Sequence, residues 1–341
     1  MSRKGAGVEY PHPVTTVLPI DEADARFPTL ARRRVLGASG PRVFPIAIGG
    51  NAFGWTASED SAYGILDAYR DLGGNLIDTA DSYAAGRSES IIGDWMRSRG
   101  VRDDVVVATK IGKSAQNPGL TSSAVSASIE ASLTRLRTDR IDVLFLHYDD
   151  ESVPFEETLV AVDENIRRGT VRFVGASDHS ANRILEARII AGQLGLTPFT
   201  ALQCRYNLLH RREFEGSLAG MADQQALGVM PRFALDGGFL AGNYRTRSEL
   251  DLNSTGNIVL GGDAETHLNR RGQKVLATLD RIATELDCAP ATVALAWLLS
   301  RSTVTAPVVG ASNPGQVADL MAAVDVVLTR QQVAALDDVS A

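Results

Sequence analysis

The sequence predicts an α/β protein of the (β/α)8 TIM barrel class, one domain behind an N-terminal extension, and three observations point there. From Val43 onward β-prone runs alternate with amphipathic stretches, the pattern of a parallel sheet covered by helices. The alternation completes eight strand-then-helix units, the barrel number. A doubly wound open sheet would carry a glycine fingerprint after its first strand, and Gly49-Gly50-Asn51-Ala52-Phe53-Gly54 matches that poorly.

Residues 1–32 hold Pro11, Pro13, Pro19 and Pro28, lack periodicity, and read as an irregular extension; the barrel takes 33–341. The first strand is expected at 43–49. Ser58 then caps a helix with Glu59 and Asp60 in its first turn, favourable for the helix dipole. Ala62, Ile65, Leu66, Tyr69 and Leu72 fall on one face of it, and Gly73 and Gly74 stop it. The later units pair strand 75–78 with helix 88–97, strand 105–109 with helix 121–137, and strand 141–146 with helix 154–168. Strand 171–176 pairs with helix 180–193, and strand 199–203 with helix 212–225. Strand 228–233 opens a long connection, 234–271, whose glycine-rich polar composition suggests a lid. Helices 271–286 and 289–301, strand 304–309, helix 314–323 and a last helix at 329–338 finish the chain.

Composition narrows the partners. Apolar residues make up 44% and charged residues 22% of the chain, ordinary for a globular protein. A formal net charge of −7 gives no basic footprint, so neither nucleic acid nor an anionic membrane is expected. Cys204 and Cys288 cannot make a disulfide framework and lack metal-ligand spacing, and no apolar stretch follows Arg3 and Lys4. A cytoplasmic location is therefore expected. A homo-oligomer is compatible with the sequence.

In such a barrel, chemistry sits where strands end on the C-terminal rim. Asp78 ends the second strand, Tyr83 follows in the loop, Lys110 ends the third strand and His147 the fourth. Each residue singly has an ordinary use as cap, surface charge, packing ring or structural hydrogen-bonder. Together they describe a proton donor for a carbonyl. A phenol of pKa about 10 becomes a usable acid near neutrality if a cation stabilises its phenolate. Lys110 supplies that cation, Asp78 holds the ammonium, and His147 orients the carbonyl oxygen. No metal is required.

The segments NLIDTADSY (75–83), VVATKIG (106–112) and DVLFLHYDD (142–150) resemble the three tetrad-bearing segments of the aldo-keto reductases, and similarity runs from about residue 33 through 317. The resemblance implies a reversible, nicotinamide-dependent reduction of an aldehyde, ketone or sugar-like carbonyl. Tyr83 would be the general acid and base, with Asp78, Lys110 and His147 around it.

It also implies a cofactor site. Ser177 and Asp178 look like the family's Ser-Asn pair at the nicotinamide carboxamide, Gln203 like its partner, and Tyr206 like an aromatic near the ring. Asp178 departs from the pattern, because a carboxylate accepts but cannot donate. RFALDGGFLAGNYR (232–245) resembles the loop around the pyrophosphate, which brings in Leu235, Gly238 and Leu240; Arg232, Phe233, Ala234, Asp236 and Asn243 differ from its usual residues. Asn243 replaces a cation, so Arg232, Arg245 and Arg247 are candidates to compensate. Gly310, Ser312 and Gln316 resemble the turn that receives the adenosine 2′-phosphate, although Asn313 and Leu320 depart from it. NADP(H) is preferred slightly over NAD(H). At the rim, Asn51, Phe53, Trp55 and Tyr148 are expected to line the substrate pocket.

Two other functions compete. A cofactor-bound redox sensor, similar to channel beta subunits, would bind a protein partner and turn over slowly. A tetrad used for isomerisation or elimination would need no hydride.

Overall fold

The computed structural model describes residues 32–250 and 263–341. The readings of the extension (up to residue 31) and of the middle of the long connection (251–262) lie outside them. Strands β1 (Arg34–Val35) and β2 (Arg42–Val43) form an antiparallel hairpin. Eight parallel strands follow: β3 (Ala47–Gly49), β4 (Leu76–Asp78), β5 (Val106–Ile111), β6 (Ile141–Leu146), β7 (Val171–Ser177), β8 (Ala201–Arg205), β9 (Gly228–Arg232) and β10 (Val308–Val309). Their order is β10-β3-β4-β5-β6-β7-β8-β9, so each strand lies beside its neighbour in sequence. Closure comes from a short seam. Val229 N–H donates to Thr303 O at 3.2 Å, and Thr305 N–H donates to Val229 O at 2.8 Å. The expected (β/α)8 barrel is the observed one.

The helices that cover it are α1 (Glu59–Asp71), α2 (Arg87–Arg99), α3 (Ser122–Leu136), α4 (Phe155–Arg167), α5 (Ala181–Leu194) and α6 (Ser217–Gln224). Then come α7 (Arg270–Leu286), α8 (Pro290–Leu299), α9 (Val317–Ala322) and α10 (Arg330–Ser340). Ser58 accepts from Ser61 N–H at 3.3 Å, as a cap should. Among the described residues no single helix is long and apolar enough to cross a membrane.

Several boundaries differ from expectation, among them the helix expected at 212–225, which begins only at Ser217. The run 43–49 is split, because Val43 pairs back on Arg34 in the hairpin while only Ala47–Gly49 joins the barrel. Leu72 falls one residue past α1 and is exposed rather than on its buried face. The strand expected at 304–309 is regular only at Val308–Val309, with Val304 making an isolated bridge to Val229.

Side chains on a strand alternate between faces, so one parity points into the barrel and the other toward the helices. Leu76, Ala108, Val143, Phe145, Ala201 and Met230 form the interior cluster, with Phe173 packed against it. Ile77, Val107, Leu144, Val174 and Leu202 belong to the outer core beneath the helices. Leu36 and Val43 of the hairpin join the interior cluster and plug the N-terminal end. Gly175 has a packing reason: a Cβ there would stand 2.5 Å from the Phe145 ring.

Tyr69 of α1 ties helix to barrel. Its hydroxyl donates to Ile46 O at 2.6 Å and accepts from Leu76 N–H at 3.0 Å, all of it buried. Tyr69→Phe strands these backbone groups away from water, and should lower unfolding stability by about 1–3 kcal/mol. Urea denaturation of the two proteins measures this; equal midpoints would count against the anchoring role.

Candidate active site

The parity that fills the barrel floor also builds its mouth. Asp78 lies two residues above Leu76, Lys110 two above Ala108, His147 two above Phe145 and Gln203 two above Ala201. Ser177 stands four above Phe173, and Arg232 two above Met230. Six polar residues therefore share the inward parity at the C-terminal ends of β4 to β9, above an apolar floor.

Lys110 is the buried centre. Its Nζ donates to Asp78 Oδ2 at 2.7 Å and to Thr79 O at 2.8 Å, with both side chains of the ion pair almost fully enclosed. Asp78 Oδ1 accepts from Gln203 Nε2 at 2.8 Å, so the carboxylate is held from two sides. Burial alone would lower the lysine pKa, but Asp78 and Tyr83 hold it above its ordinary value, and the ammonium persists.

Tyr83 arrives from the turn after β4. The turn Tyr83–Gly86 carries Ala84 and Ala85 at φ of 48° and 55°, left-handed values uncommon for a residue with a Cβ. Lys110 Nζ lies 5.0 Å from the centre of the Tyr83 ring, and the His147 ring meets that ring edge-on at 6.1 Å. Burial pushes the phenol above its ordinary pKa; the Lys110 charge and hydrogen bond oppose that without reversing it. In the free protein Tyr83 therefore starts from its acid form, the form a proton donor needs. His147 is driven down to about 2, by burial first and then by Lys110, Lys113 and Arg232, so its imidazole is neutral. Its Nδ1 is buried without a hydrogen-bond partner.

On the neighbouring strands, Ser177 Oγ is fully buried and has no hydrogen-bond partner, a polar atom aimed at nothing in the protein. Asp178, at a left-handed φ of 56°, receives Arg232 through Nη2 at 2.7 and 2.9 Å. An orphaned hydroxyl beside a carboxylate is one donor and one acceptor, the pair that a carboxamide group needs. These residues fit a nicotinamide. Gln203, turned to Asp78 by its amide nitrogen, borders the same place.

The outer cofactor residues are less prepared. Phe233 lies under two guanidiniums, Arg205 at 5.3 Å and Arg232 at 4.7 Å from its ring centre. Leu235 and Gly238 sit in the turn around Asp236–Ala241, and a Cβ on Gly238 would stand 2.5 Å from the Asn243 amide. Gly310, Ser312 and Gln316 are exposed, Ser312 N–H being held by Gln316 Oε1 at 2.8 Å. The arginines expected to replace the missing cation are already engaged. Arg245 forks onto Asp280, Arg247 pairs with Glu265, and Arg232 holds Asp178.

Three expected site residues are not brought to the mouth. Tyr206 has the outward parity and packs at 4.6 Å from Phe214 and 5.5 Å from Trp297, its hydroxyl on Glu215. Phe53 is fully buried in the outer core, and the Leu240 side chain is too. Trp55, by contrast, is 47% exposed at the rim. Asn51 approaches Gly310, and Tyr148 is half-buried, donating to Asp150 at 3.1 Å.

Sequence reasoning missed Lys113 and Asn207. Lys113, three residues beyond Lys110, is exposed near Asp178 and Arg232, and partial desolvation lowers its pKa. Asn207 is fully buried; its Nδ2 donates to Phe233 O at 2.7 Å and its Oδ1 accepts from Leu209 and His210 N–H. It stitches the loop after β8 to the loop after β9. The string Tyr206-Asn207 was the available signal, read there for its aromatic member.

Comparison with known proteins agrees with this geometry. The aldo/keto reductase family model matches residues 45–341. A putative aryl-alcohol dehydrogenase of Saccharomyces cerevisiae is 31% identical, over 91% of this chain and 87% of that protein. Norsolorinic acid reductase B of Aspergillus parasiticus is likewise 31% identical, over 91% and 85%. An aryl-alcohol dehydrogenase [NADP(+)] of Phanerodontia chrysosporium is 29% identical, over 91% and 86%. With the barrel, the polar mouth and a family match over nearly the whole described chain in agreement, this protein belongs to the aldo/keto reductase family and is an oxidoreductase of the carbonyl–alcohol type.

Proposed function

We propose that the chain reversibly reduces an aryl aldehyde or ketone with NADPH, Tyr83 passing the proton. The observation that carries this is the single group in which Lys110, Asp78 and His147 stand at inward strand ends and Tyr83, from the turn after β4, sets its ring against Lys110 and His147. The names of the relatives favour aromatic substrates and, in one case, NADP(+). Trp55, exposed at the rim, supplies a flat apolar wall for such a ring.

The reduced nicotinamide, when bound, supplies the hydride. Ser177 Oγ, Asp178 and Gln203 would hold its carboxamide, the loops at Phe233–Asn243 and Gly310–Gln316 its outer half. The chain's own part is the proton. Neutral His147 donates one N–H toward the carbonyl oxygen and cannot itself deliver a full charge. Tyr83 hands over its proton as negative charge grows on that oxygen, and Lys110 stabilises the phenolate left behind. Asp78 keeps the ammonium in place.

Tyr83→Phe should lower turnover of an aryl aldehyde by about 100- to 10,000-fold, the usual worth of a general acid. Its affinity for NADPH, read by fluorescence, should stay within about two-fold of the parent, below the effect of one ordinary hydrogen bond. Retained turnover would remove Tyr83 from the mechanism. Because Tyr83 is raised above the ordinary phenol value, its acid form persists at and above neutrality. Aldehyde reduction should therefore hold level as pH rises through 7 to 9, while alcohol oxidation, which needs the phenolate, climbs. A reduction rate that falls above pH 7 would contradict this.

Ser177→Ala discriminates a cofactor contact from a structural one. Its hydroxyl bonds nothing in the protein, so thermal stability should hold while NADPH binding weakens about ten-fold, roughly 1.4 kcal/mol. Unchanged binding by titration would take Ser177 out of the carboxamide site.

A further inference from the structure

Beyond the barrel mouth, three loops converge on one buried carboxylate. Asp236 starts the short helix after β9, at a left-handed φ of 49°, and is fully enclosed. His210 comes from the loop after β8, and His267 from the helix Asp263–His267 that ends the long connection. One ligand atom from each lies within 4.8 Å of the other two.

The arrangement is not a satisfied hydrogen-bond cluster. His267 Nε2 approaches Asp236 Oδ2 to 2.8 Å, yet both atoms are buried and the contact does not satisfy hydrogen-bond geometry. His210 Nε2, at 3.5 Å from Oδ1, is also buried and unpartnered. The two imidazoles stand nearly perpendicular, at 88°, and so present their nitrogens from different directions. Arg205 and Asn207 both donate to Oδ1, at 3.1 and 3.2 Å. They orient the carboxylate and leave Oδ2 free, as donors to a ligating carboxylate do. Tyr244 adds a buried hydroxyl with no partner, close enough to feel the Asp236 charge.

We propose that His210, Asp236 and His267 bind a divalent transition metal, zinc by preference, as a structural tie. Two imidazole nitrogens and one carboxylate oxygen are a donor set for zinc, with water completing four-fold coordination. Magnesium and calcium, which take oxygen donors, are excluded by the two imidazoles. The ion would fasten the returning end of the long connection to the loops after β8 and β9. None of its three ligands is a proton-transfer residue, and the ion would supply none of the chemistry proposed above.

The test uses the untagged full-length chain, stripped with a chelator and titrated with zinc by calorimetry, then with cobalt by visible absorption. One equivalent of each should bind, cobalt giving the strong bands of a tetrahedral site. His267→Gln should weaken zinc at least ten-fold, as should His210→Gln, whose half-buried position tolerates the change should the first variant fold poorly. Circular dichroism confirms folding of each. Absence of zinc and cobalt binding at micromolar concentration in the parent, or binding unaltered in the folded variant, overturns the proposal.

Discussion

An ammonium taken out of water at the top of a packed barrel is tolerable only when something opposes its loss of hydration, and here that is Asp78. The Lys110–Asp78 contact is enclosed on both sides, with Gln203 and the Thr79 carbonyl filling the remaining hydrogen-bond directions. Leaving either partner alone in such a place typically costs about 3–5 kcal/mol, so the pair must be kept or lost together. Burial and this pair together set the electrical state of the neighbouring groups. His147 stays neutral beside that positive charge, and Tyr83 keeps a proton whose release Lys110 alone makes affordable.

Much of this was legible in the sequence, and for one reason: strands have a period of two. Asp78, Lys110, His147, Ser177 and Gln203 could be set at the rim because each closes a β-prone run, and parity turns all of them inward. The same rule, applied to one more residue, would have removed Tyr206. It lies five positions after inward Ala201 and so faces the helices, where Phe214 and Trp297 meet it. Phe53 escaped detection differently. It lies in an irregular turn, where no period tells a rim residue from a core one.

What the sequence could not reveal depended on distance along the chain. The bidentate Arg232–Asp178 contact joins residues on β9 and beyond β7, and turns two apparent departures from the family pattern into one compensated pair. Asp236 departs from the residues usual in its loop, and its carboxylate is turned into the protein, held on Oδ1 by Arg205 and Asn207 with two imidazoles close by. The enclosure around Tyr83 was equally hidden, because a neighbouring cation can be inferred from a motif while the degree of burial cannot.

The barrel closes through a few backbone bonds at Val229, where β9 meets the stretch leading into the two-residue β10. The turns that leave these two strands, at Asp236–Ala241 and Pro314–Gln316, stand on either side of that weak suture. The proton-handling quartet stands instead at the ends of β4, β5 and β6 and in the turn after β4, and β5 and β6 pair along most of their length. A cylinder assembled this way is tied at its seam by fewer backbone bonds than hold together β5, β6 and β7 on the opposite wall.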